Sequence, residues 1–477
     1  MIRLLILLLF MFSVVYAEPS DERLRVLENR IAELESNQNS SEENVVELET
    51  IVENVERKSF TDMIDFTPEV RLRFDKMRYK VGDFETQHNP STVSRDEDGI
   101  PNRENIDKNF DIASSVRFRL NMHANLLEEL QFHGRFVFQH STQSSERLCI
   151  LSKEIKSSGS ISGIDIDRAY FDYLLNRGSD YPLIFSFGVL PTSGGTPMQF
   201  AEVRARQSVF PALVFDMDSY GVIFTSNLSH LFSQETFLRV VIAQAYTLDP
   251  NIYPYQCNRE TIDNADIYGL YFDTRFSRGS LFSIGVNVLD NLKAHPYLGP
   301  DVNAEDSKVL GRVITFGAGL DSENIADSGV TTFIHAALSH GHSNGNEENN
   351  STQGGAVGGF TTSSYADGSL IEDFGYSLYA GLLFDLSKYI TFGAEYNYGS
   401  KYWFAATQGA EDMYNKLATR GHVGEGYIIW NLNRYLFTKV GYMYTDEEYT
   451  GSGWHFGEPI AKGGTQQVGY IQINASF

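Results

Sequence analysis

Arginines at alternating positions are the first feature of this sequence that suggests a chemistry. Residues i and i+2 of an extended chain lie on one side of it, so such arginines would form a row. Guanidinium groups stay charged and donate hydrogen bonds in a fixed fork, which suits them to bind or orient anions. They can equally pair with carboxylates and keep a wall polar, and the sequence leaves both interpretations open. The arginines are Arg71, Arg73, Arg117, Arg119 and Arg135.

A long connector at residues 191–215 carries a second charged group. Acidic and basic side chains that face each other across an opening would create a transverse field and select solutes by charge. The connector either folds inward and narrows such an opening or lies over its mouth. The charged residues are Glu202, Arg204 and Arg206 in the connector, and Asp216 and Asp218 at the predicted start of the next strand.

Motifs for bond chemistry are scarce. The sequence contains no Gly-rich phosphate-binding loop, zinc-ligand spacing or dinucleotide fingerprint, so we expect no catalytic residue, no metal and no cofactor. Cys149 and Cys257 are candidates for one disulfide in an oxidising compartment, or are two free thiols too far apart to bridge. His340 and His342 begin a predicted Gly-rich loop, where we expect solvated surface.

Composition narrows the classes of partner and fold. The net charge of −24 argues against nucleic acid as a partner, because both molecules would be negative. Aromatic residues make up 13% of the chain while only 13 residues are Pro, which favours strands over other structure.

The alternation of apolar and charged residues indicates which elements position the arginines. Residues 70–75 read VRLRFD, with an apolar face that suits lipid and a charged face that suits water. Together with this one, sixteen such stretches of about ten residues run along the chain, joined alternately by short and long connectors. We therefore predict an all-β fold, a transmembrane antiparallel β-barrel of about 16 strands.

Both ends of the chain agree with a barrel in the bacterial outer membrane. Residues 1–17 contain a basic residue near their start, Arg3, followed by an apolar stretch, and this pattern predicts a cleaved signal peptide. Residues 469–477 alternate apolar and polar side chains up to the terminal Phe477, a pattern that resembles the last strand of outer-membrane barrels. We assign residues 61–477 to the barrel and residues 18–60 to a periplasmic segment.

That periplasmic segment has apolar residues at heptad spacing, which predicts a coiled-coil helix. Such a helix favours a homo-oligomer, plausibly a trimer, although a solvated acidic linker is the simpler alternative. The heptad positions are Leu24, Leu27, Ile31, Leu34, Val45, Leu48, Val52 and Val55.

Several short segments together resemble a family of uncharacterised, porin-like outer-membrane proteins, a domain of unknown function with an N-terminal coiled coil. The resemblance spans most of residues 66–477 and implies a barrel with a pore role, without a known substrate or catalytic residues. The segments are DRAYFD at 167–172, FGVLPT at 187–192, EYNYGSKYWF at 395–404, KLATRG at 416–421, YTGSG at 449–453 and GEP at 457–459.

The expected function is therefore passive diffusion of small hydrophilic solutes or ions through an outer-membrane porin, with the membrane lipid as a further partner. Barrels of sixteen strands are wide enough for an aqueous channel. The alternative is a structural or surface-interaction barrel whose lumen is closed by its loops. An enzyme is not expected, because no convergent nucleophile and base are evident.

Overall fold

The computed structural model describes the greater part of the predicted barrel. The described residues are 64–85, 103–142, 162–232, 234–245, 261–263, 265–295, 308–343, 373–407, 412–449 and 461–477. The chain divides into two compact units, Met1–Ile64 and Asp65–Phe477, and the barrel belongs to the second. The predicted signal peptide, coiled coil and both cysteines lie outside the described residues.

Seventeen strand segments form a single antiparallel sheet. They are β1 (Ile64–Glu85), β2 (Arg103–Asn125), β3 (Leu130–Ser141), β4 (Ser162–Leu174), β5 (Leu183–Leu190), β6 (Ser219–Asn227), β7 (Thr236–Ala245), β8 (Thr261–Asp263), β9 (Ala265–Ser277), β10 (Ser280–His295), β11 (Lys308–Ser322), β12 (Val330–Ser343), β13 (Phe374–Ser387), β14 (Ile390–Gly399), β15 (Gly421–Asn431), β16 (Leu436–Tyr449) and β17 (Ala461–Ser476).

The sheet closes into a sixteen-stranded barrel. β1 pairs with β2 on one side and with β17 on the other, which joins the two ends of the described sheet. β8 and β9 pair in succession with the same strand, β10, and therefore occupy one position in the barrel. The predicted fold and strand number are confirmed. Closure suits a membrane, because lipid cannot form hydrogen bonds with an open sheet edge.

Side chains alternate between the two faces of the barrel as the sequence pattern predicts. On β1, Val70 is 37% exposed on the outer face, whereas the next residue, Arg71, is 5% exposed on the inner face. The same alternation continues along the chain to β17, where Ile471 and Ile473 point outward and Tyr470 and Gln472 point inward. The outer face is thus apolar and the inner face carries most of the charge.

The start of β6 differs from the prediction. The strand begins at Ser219, so Asp216 and Asp218 precede it rather than form its first residues. The backbone N–H of Asp216 donates to the carbonyl of Ala406, 2.8 Å away in another connector, and not to a neighbouring strand. This tertiary hydrogen bond is invisible to sequence periodicity.

The loop predicted at His340 and His342 is also wrong. β12 continues to Ser343, and both histidines lie on its outer face. The ring of His340 lies 4.4 Å from the ring of Phe374 on β13, and this cross-strand contact extends the ladder into a polar, Gly-containing stretch.

The two ends of the barrel differ in the length of their connectors. Seven connectors at one end are short, such as Arg278–Gly279 between β9 and β10, and this is also the end where β1 starts and β17 finishes. We call it the short-turn end. All the long connectors are at the opposite, long-loop end, as in outer-membrane barrels.

Two long connectors fold into the barrel. Inner loop A is residues 191–218, between β5 and β6, and contains the helix α1 (Met198–Glu202). Inner loop B is residues 400–420, between β14 and β15, and is described except for 408–411. Trp403 and Phe404 of loop B are almost fully buried.

Contacts on three sides of the barrel show that loop A spans the lumen. Lys439 Nζ of β16 donates to the Ala201 carbonyl at 3.0 Å, and Arg168 Nη1 of β4 donates to the Gln207 carbonyl at 2.8 Å. These two strands are five positions apart around the barrel, and the Thr196 hydroxyl of loop A donates to Asp321 of β11 on a third side. The apolar core of the protein therefore lies inside the barrel, around the two loops.

Glycines on the inner wall make room for this core. The ring of Tyr271 lies flat against the wall over Gly285 of β10, where an added Cβ would approach the ring to 2.4 Å. Gly317 of β11 provides the same space for Val214 of loop A, whose Cγ2 would lie 2.8 Å from a Cβ. Side chains at these positions would force the loop or the ring away from the wall.

Candidate functional site

The inner face of β1 to β4 carries a continuous group of arginines. We call this group the arginine wall. All its members are at least nine-tenths buried between the strands and inner loop A. The structure therefore brings together four of the arginines singled out by their spacing, and adds a fifth from β4. The group comprises Arg71, Arg117, Arg119, Arg135 and Arg168.

A β-bulge on β4 supplies the wall with its carboxylate. Arg135 pairs with Arg168 across the ladder while Phe136 pairs with Ile166, so Asp167 is the extra residue. A bulge re-aims side chains, and here both Asp167 and Arg168 reach the interior. Arg135 donates to Asp167 from Nε at 2.7 Å and from Nη2 at 2.5 Å, a bidentate pair.

Inner loop A faces the wall with charges of both signs. Glu202 Oε2 lies 3.7 Å from Arg117 Nη2 and 4.0 Å from Arg71 Nη1, so one carboxylate lies between two arginines. Arg204 Nη1 lies 3.6 Å from Glu69 Oε2 on β1. The strands and the loop are thus held together by interleaved charges.

Two other predicted residues have their own carboxylates. Arg73 Nε donates to Asp75 at 2.7 Å, and its guanidinium lies 4.0 Å from the centre of the Tyr470 ring. Arg206 Nη2 lies 3.5 Å from Asp273 Oδ2 on β9, on another part of the wall. Arg206 thus extends the charged part of loop A beyond the arginine wall.

Asp216 links the two inner loops. Its Oδ1 accepts a hydrogen bond from the Gly194 N–H at 2.7 Å within loop A. Its Oδ2 accepts one from the Thr407 hydroxyl at 3.1 Å in loop B. Together with the backbone bond to Ala406, these contacts make one body of two connectors that are distant in sequence.

Asp218 is a buried carboxyl group whose ionisation is disfavoured. Burial raises its pKa to about 7, the nearby carboxylate of Asp167 adds to this, and Arg135 and the Ser193 hydroxyl oppose it. Ser193 Oγ donates to Asp218 Oδ1 at 3.1 Å. The charge near the arginine wall therefore changes at close to neutral pH.

Lys416 of loop B lies between two buried glutamates. Its Nζ donates to Glu395 of β14, and to Glu425 Oε2 of β15 at 2.7 Å. Burial opposes its charge, but Glu395 and Glu425 outweigh it and hold the pKa of Lys416 well above its ordinary value. Tyrosine hydroxyls donate to the same carboxylates at 2.5–2.6 Å, Tyr379 and Tyr427 to Glu395, and Tyr470 to Glu425.

A chamber of about 580 Å³ lies at the short-turn end of the lumen. Its inner part is lined by Arg71, Arg117 and Arg204, and its rim by Lys388 and Arg434 in the turns after β13 and β15. The arginine wall thus borders a space that is open to solvent at one end.

Sequence spacing missed the residues that complete the site. Arg168 and Asp167 escaped because a bulge breaks the alternation on which the prediction depends. Lys416 lies 21 residues from Glu395 and 9 from Glu425, on different elements, and nothing in their local pattern signals that they meet. Only the motif segments 395–404 and 416–421, singled out by the resemblance, pointed to this region.

The described residues provide no obvious place for a metal. Among them, no group of three or more His, Cys, Asp and Glu side chains is arranged to hold an ion. Within the same residues, no helix is both long and apolar enough to cross a membrane.

Fold and site together define a sixteen-stranded barrel that resembles porins, with charged inner walls and two inward loops. The chain belongs to the family described as "Protein of unknown function (DUF3373)", whose model matches residues 107–473. This confirms the resemblance read from the motif segments. No curated protein matches the chain.

Solved structures with a similar fold are outer-membrane proteins. OprB of Pseudomonas putida shares 12% identity at a TM-score of 0.47, covering 88% of this chain and 96% of that one. The outer membrane channel DcaP of Acinetobacter baumannii shares 11% at 0.42, covering 87% and 97%. The anion-selective porin from Comamonas acidovorans shares 9% at 0.45, covering 87% and 100%. At such identities the likeness concerns the fold alone.

Proposed function

We propose that the protein is a porin of the bacterial outer membrane that lets small hydrophilic solutes or ions diffuse passively along its arginine wall. Size exclusion by the two inner loops and weak selection by charge are its mechanism, and no bond is made or broken. The long-loop end faces the outside of the cell and the short-turn end faces the periplasm, as in bacterial barrels generally.

The proposal is carried by the charged band between the arginine wall and loop A. Solvent reaches this band, since the side chains of Glu202, Arg204 and Arg206 are 13%, 15% and 22% exposed. By contrast, the apolar residues Val214 and Phe404 of the inner loops are at most 1% exposed. A wet, charged strip beside a dry core is the route that an ion would take.

Positive charge is in excess along this route. The arginine wall and Arg204 provide six guanidinium groups, and the acidic groups beside them are Glu69, Asp167, Glu202 and Asp218, the last with a pKa raised to about 7. We therefore infer a preference for anions, because the charge of the lumen and not the total charge of the chain sets selectivity.

Single-channel conductance in a planar bilayer, with a salt gradient across it, tests the proposal. We expect steady current steps and a reversal potential that favours anions. Arg71→Ala combined with Arg117→Ala should shift the reversal potential toward cations, because Glu202 then loses both its neighbouring cations. Steps in groups of three would support the trimer that we propose from the heptad pattern.

Arg78→Ala combined with Lys80→Ala is the matched control. These residues lie on β1 as well, but their side chains are 46% exposed on the outer face beside Asp107. The control pair should leave the reversal potential unchanged. Absence of current from folded protein would contradict the porin proposal.

The second candidate is a structural barrel with a closed lumen. It is favoured by the three clusters of buried apolar residues inside the barrel, to which both inner loops contribute. In that case the barrel would be silent in bilayers yet resist denaturation, and its role would lie in contacts with the cell wall or a partner.

A further inference from the structure

We propose that the chamber at the short-turn end is a binding site for small polyanions, molecules that carry carboxylate or phosphate groups at both ends. The proposal rests on the proposed function, because the chamber then lies on the solute's path between the charged band and the periplasm. The chamber would then give the porin a preferred class of ligand and a site at which that ligand binds during its passage.

The size of the chamber suits a small molecule. Its volume of about 580 Å³ falls within the range of about 300–1,000 Å³ that is typical of ligand sites. The end of α1 forms one side, and the ends of β1, β16 and β17 form the other. A solute larger than a few sugar units would not fit beside loop A.

The charge of the chamber points to an anion. Arg71, Arg117 and Arg204 form an inner cationic group, and Lys388 and Arg434 form an outer group at the rim. The carboxylates of the lining are Glu69 and Glu202, so five cations exceed two anions by three charges. An excess of three charges is too large for a monoanion to neutralise.

The arrangement of the cations points to an anion with charge at both ends. The inner group lies on β1, β2 and loop A, whereas the outer group lies on turns after β13 and β15. The lining also provides the amides of Asn431 and Asn474, which can bind hydroxyl groups. A polycarboxylate would place one carboxylate at each cationic group.

Titration calorimetry of the purified, folded full-length protein with citrate at low ionic strength tests the site. Acetate is the comparison ligand, and we expect it to bind about ten-fold more weakly because it engages one cationic group instead of two. Arg204→Gln and Arg434→Gln should each weaken citrate binding by about ten-fold, since each removes charge from one group. Equal binding of citrate and acetate would overturn the assignment.

Arg278→Gln is the matched control variant. Arg278 lies in an exposed turn at the same end of the barrel but outside the lining of the chamber. It should leave citrate affinity unchanged, and a loss equal to that of Arg434→Gln would reduce the effect to general surface charge and overturn the proposal.

Current measurements on the same samples separate this proposal from the porin proposal. Citrate on the short-turn side should reduce the chloride current at concentrations that match its affinity. A conducting protein that neither binds citrate nor is blocked by it would refute the chamber and leave the porin intact. A silent protein that binds citrate with the expected dependence on Arg204 and Arg434 would refute the porin alone.

Discussion

Two neighbouring segments of inner loop A lie against walls of opposite character. We call residues 202–208 its charged half and residues 209–215 its apolar half. Residues 202–208 read EVRARQS and meet the arginine wall through ion pairs and charge-assisted hydrogen bonds. Residues 209–215 read VFPALVF and pack on β9 to β13. In this apolar half, the ring of Phe210 lies 4.4 Å from that of Tyr271, and Val214 lies over Gly317.

The wall beneath the apolar half is itself polar. Four of its side chains have buried oxygen or nitrogen atoms without a hydrogen-bond partner within the described part of the chain: Tyr271, Ser283, Asn287 and Thr315. Buried polar groups are normally paired, and water in an open lumen would pair them. The apolar half therefore covers polar atoms that it cannot pair, whereas the charged half lies against carboxylates and guanidinium groups of opposite sign.

The two halves should therefore be held with unequal strength. The charged half is held by ion pairs whose wall partners, such as Arg117 and Asp273, are 5% exposed, so removing the loop partner leaves a buried charge on the wall. The apolar half gains hydrophobic burial but leaves polar atoms of the wall unsatisfied. We expect the charged half to anchor the loop and the apolar half to be the first part to move.

Arg135→Met should have the largest effect. It leaves the buried carboxylate of Asp167 without its bidentate partner and removes the hydrogen bond from Nη1 to Gln207 at 3.2 Å. Breaking a buried ion pair by removing one partner costs about 3–5 kcal/mol of unfolding free energy. The free energy of unfolding, measured by urea denaturation of the folded barrel in detergent, should fall by this amount.

Arg78→Met is the control for this substitution. Arg78 pairs with Asp107 at 3.0 Å, but both side chains are about half exposed on the outer face. Exposed pairs contribute little, so the control should leave unfolding unchanged. If both variants lost the same free energy, the charged half would not be the anchor.

Gly285→Ala tests the apolar half and should have a smaller effect. The new Cβ would approach the Tyr271 ring to 2.4 Å and push it toward Phe210 of the loop. Overpacking of this kind costs about 1–3 kcal/mol of unfolding free energy. Because the loop then loosens from the wall, the single-channel conductance should rise.

Gly426→Ala is the matched control, because no atom lies within 4 Å of a Cβ at that outward-facing position. It should change neither unfolding nor conductance. The double variant of Arg135→Met and Gly285→Ala tests whether the two halves are independent, since sites without shared partners have additive effects on stability. Strong non-additivity would show that the two halves act as one unit.

The strands of this barrel were predictable from sequence, and the reason is physical. Each strand has lipid on one face and the interior on the other, so a period of two is imposed along every regular strand, from Val70 on β1 to Ile473 on β17. That constraint placed Arg71 and Arg117 on the inner face correctly. It fails where the ladder is irregular, as at the bulge of Asp167.

The interior of the barrel was much less predictable. Contacts such as Lys416 with Glu395, 21 residues apart, or Asp216 with Thr407, 191 residues apart, join different elements, and no local pattern encodes them. The change from polar to apolar at residue 209 of loop A is visible in the sequence, but its meaning depends on which wall each half faces. Only the closed barrel determines that.

Asp218→Asn should have the smallest effect, and one that depends on pH. The pKa of Asp218 is raised to about 7 in the folded protein from an ordinary value of 3.8, chiefly by burial. Between these two values the folded state holds a proton that the unfolded chain has released. Stability of the natural protein should therefore fall as the pH rises from about 4 to about 7 and then level off.

The asparagine variant does not titrate, so it should lose this slope. Its unfolding midpoint should match that of the natural protein near pH 4 and exceed it at pH 8, where Asp218 is ionised and buried beside Asp167. Asp107→Asn, an exposed outer-face control, should keep the slope of the natural protein.

Anion preference gives a second readout, because an ionised Asp218 adds negative charge next to Arg135. The reversal potential of the natural protein should move toward cations between about pH 6 and 8, because this interval spans the pKa of Asp218. The reversal potential of the variant should stay constant. A natural protein with a flat pH profile in both measurements would mean that Asp218 stays ionised over this range, and that the cations of the arginine wall accommodate its carboxylate beside that of Asp167.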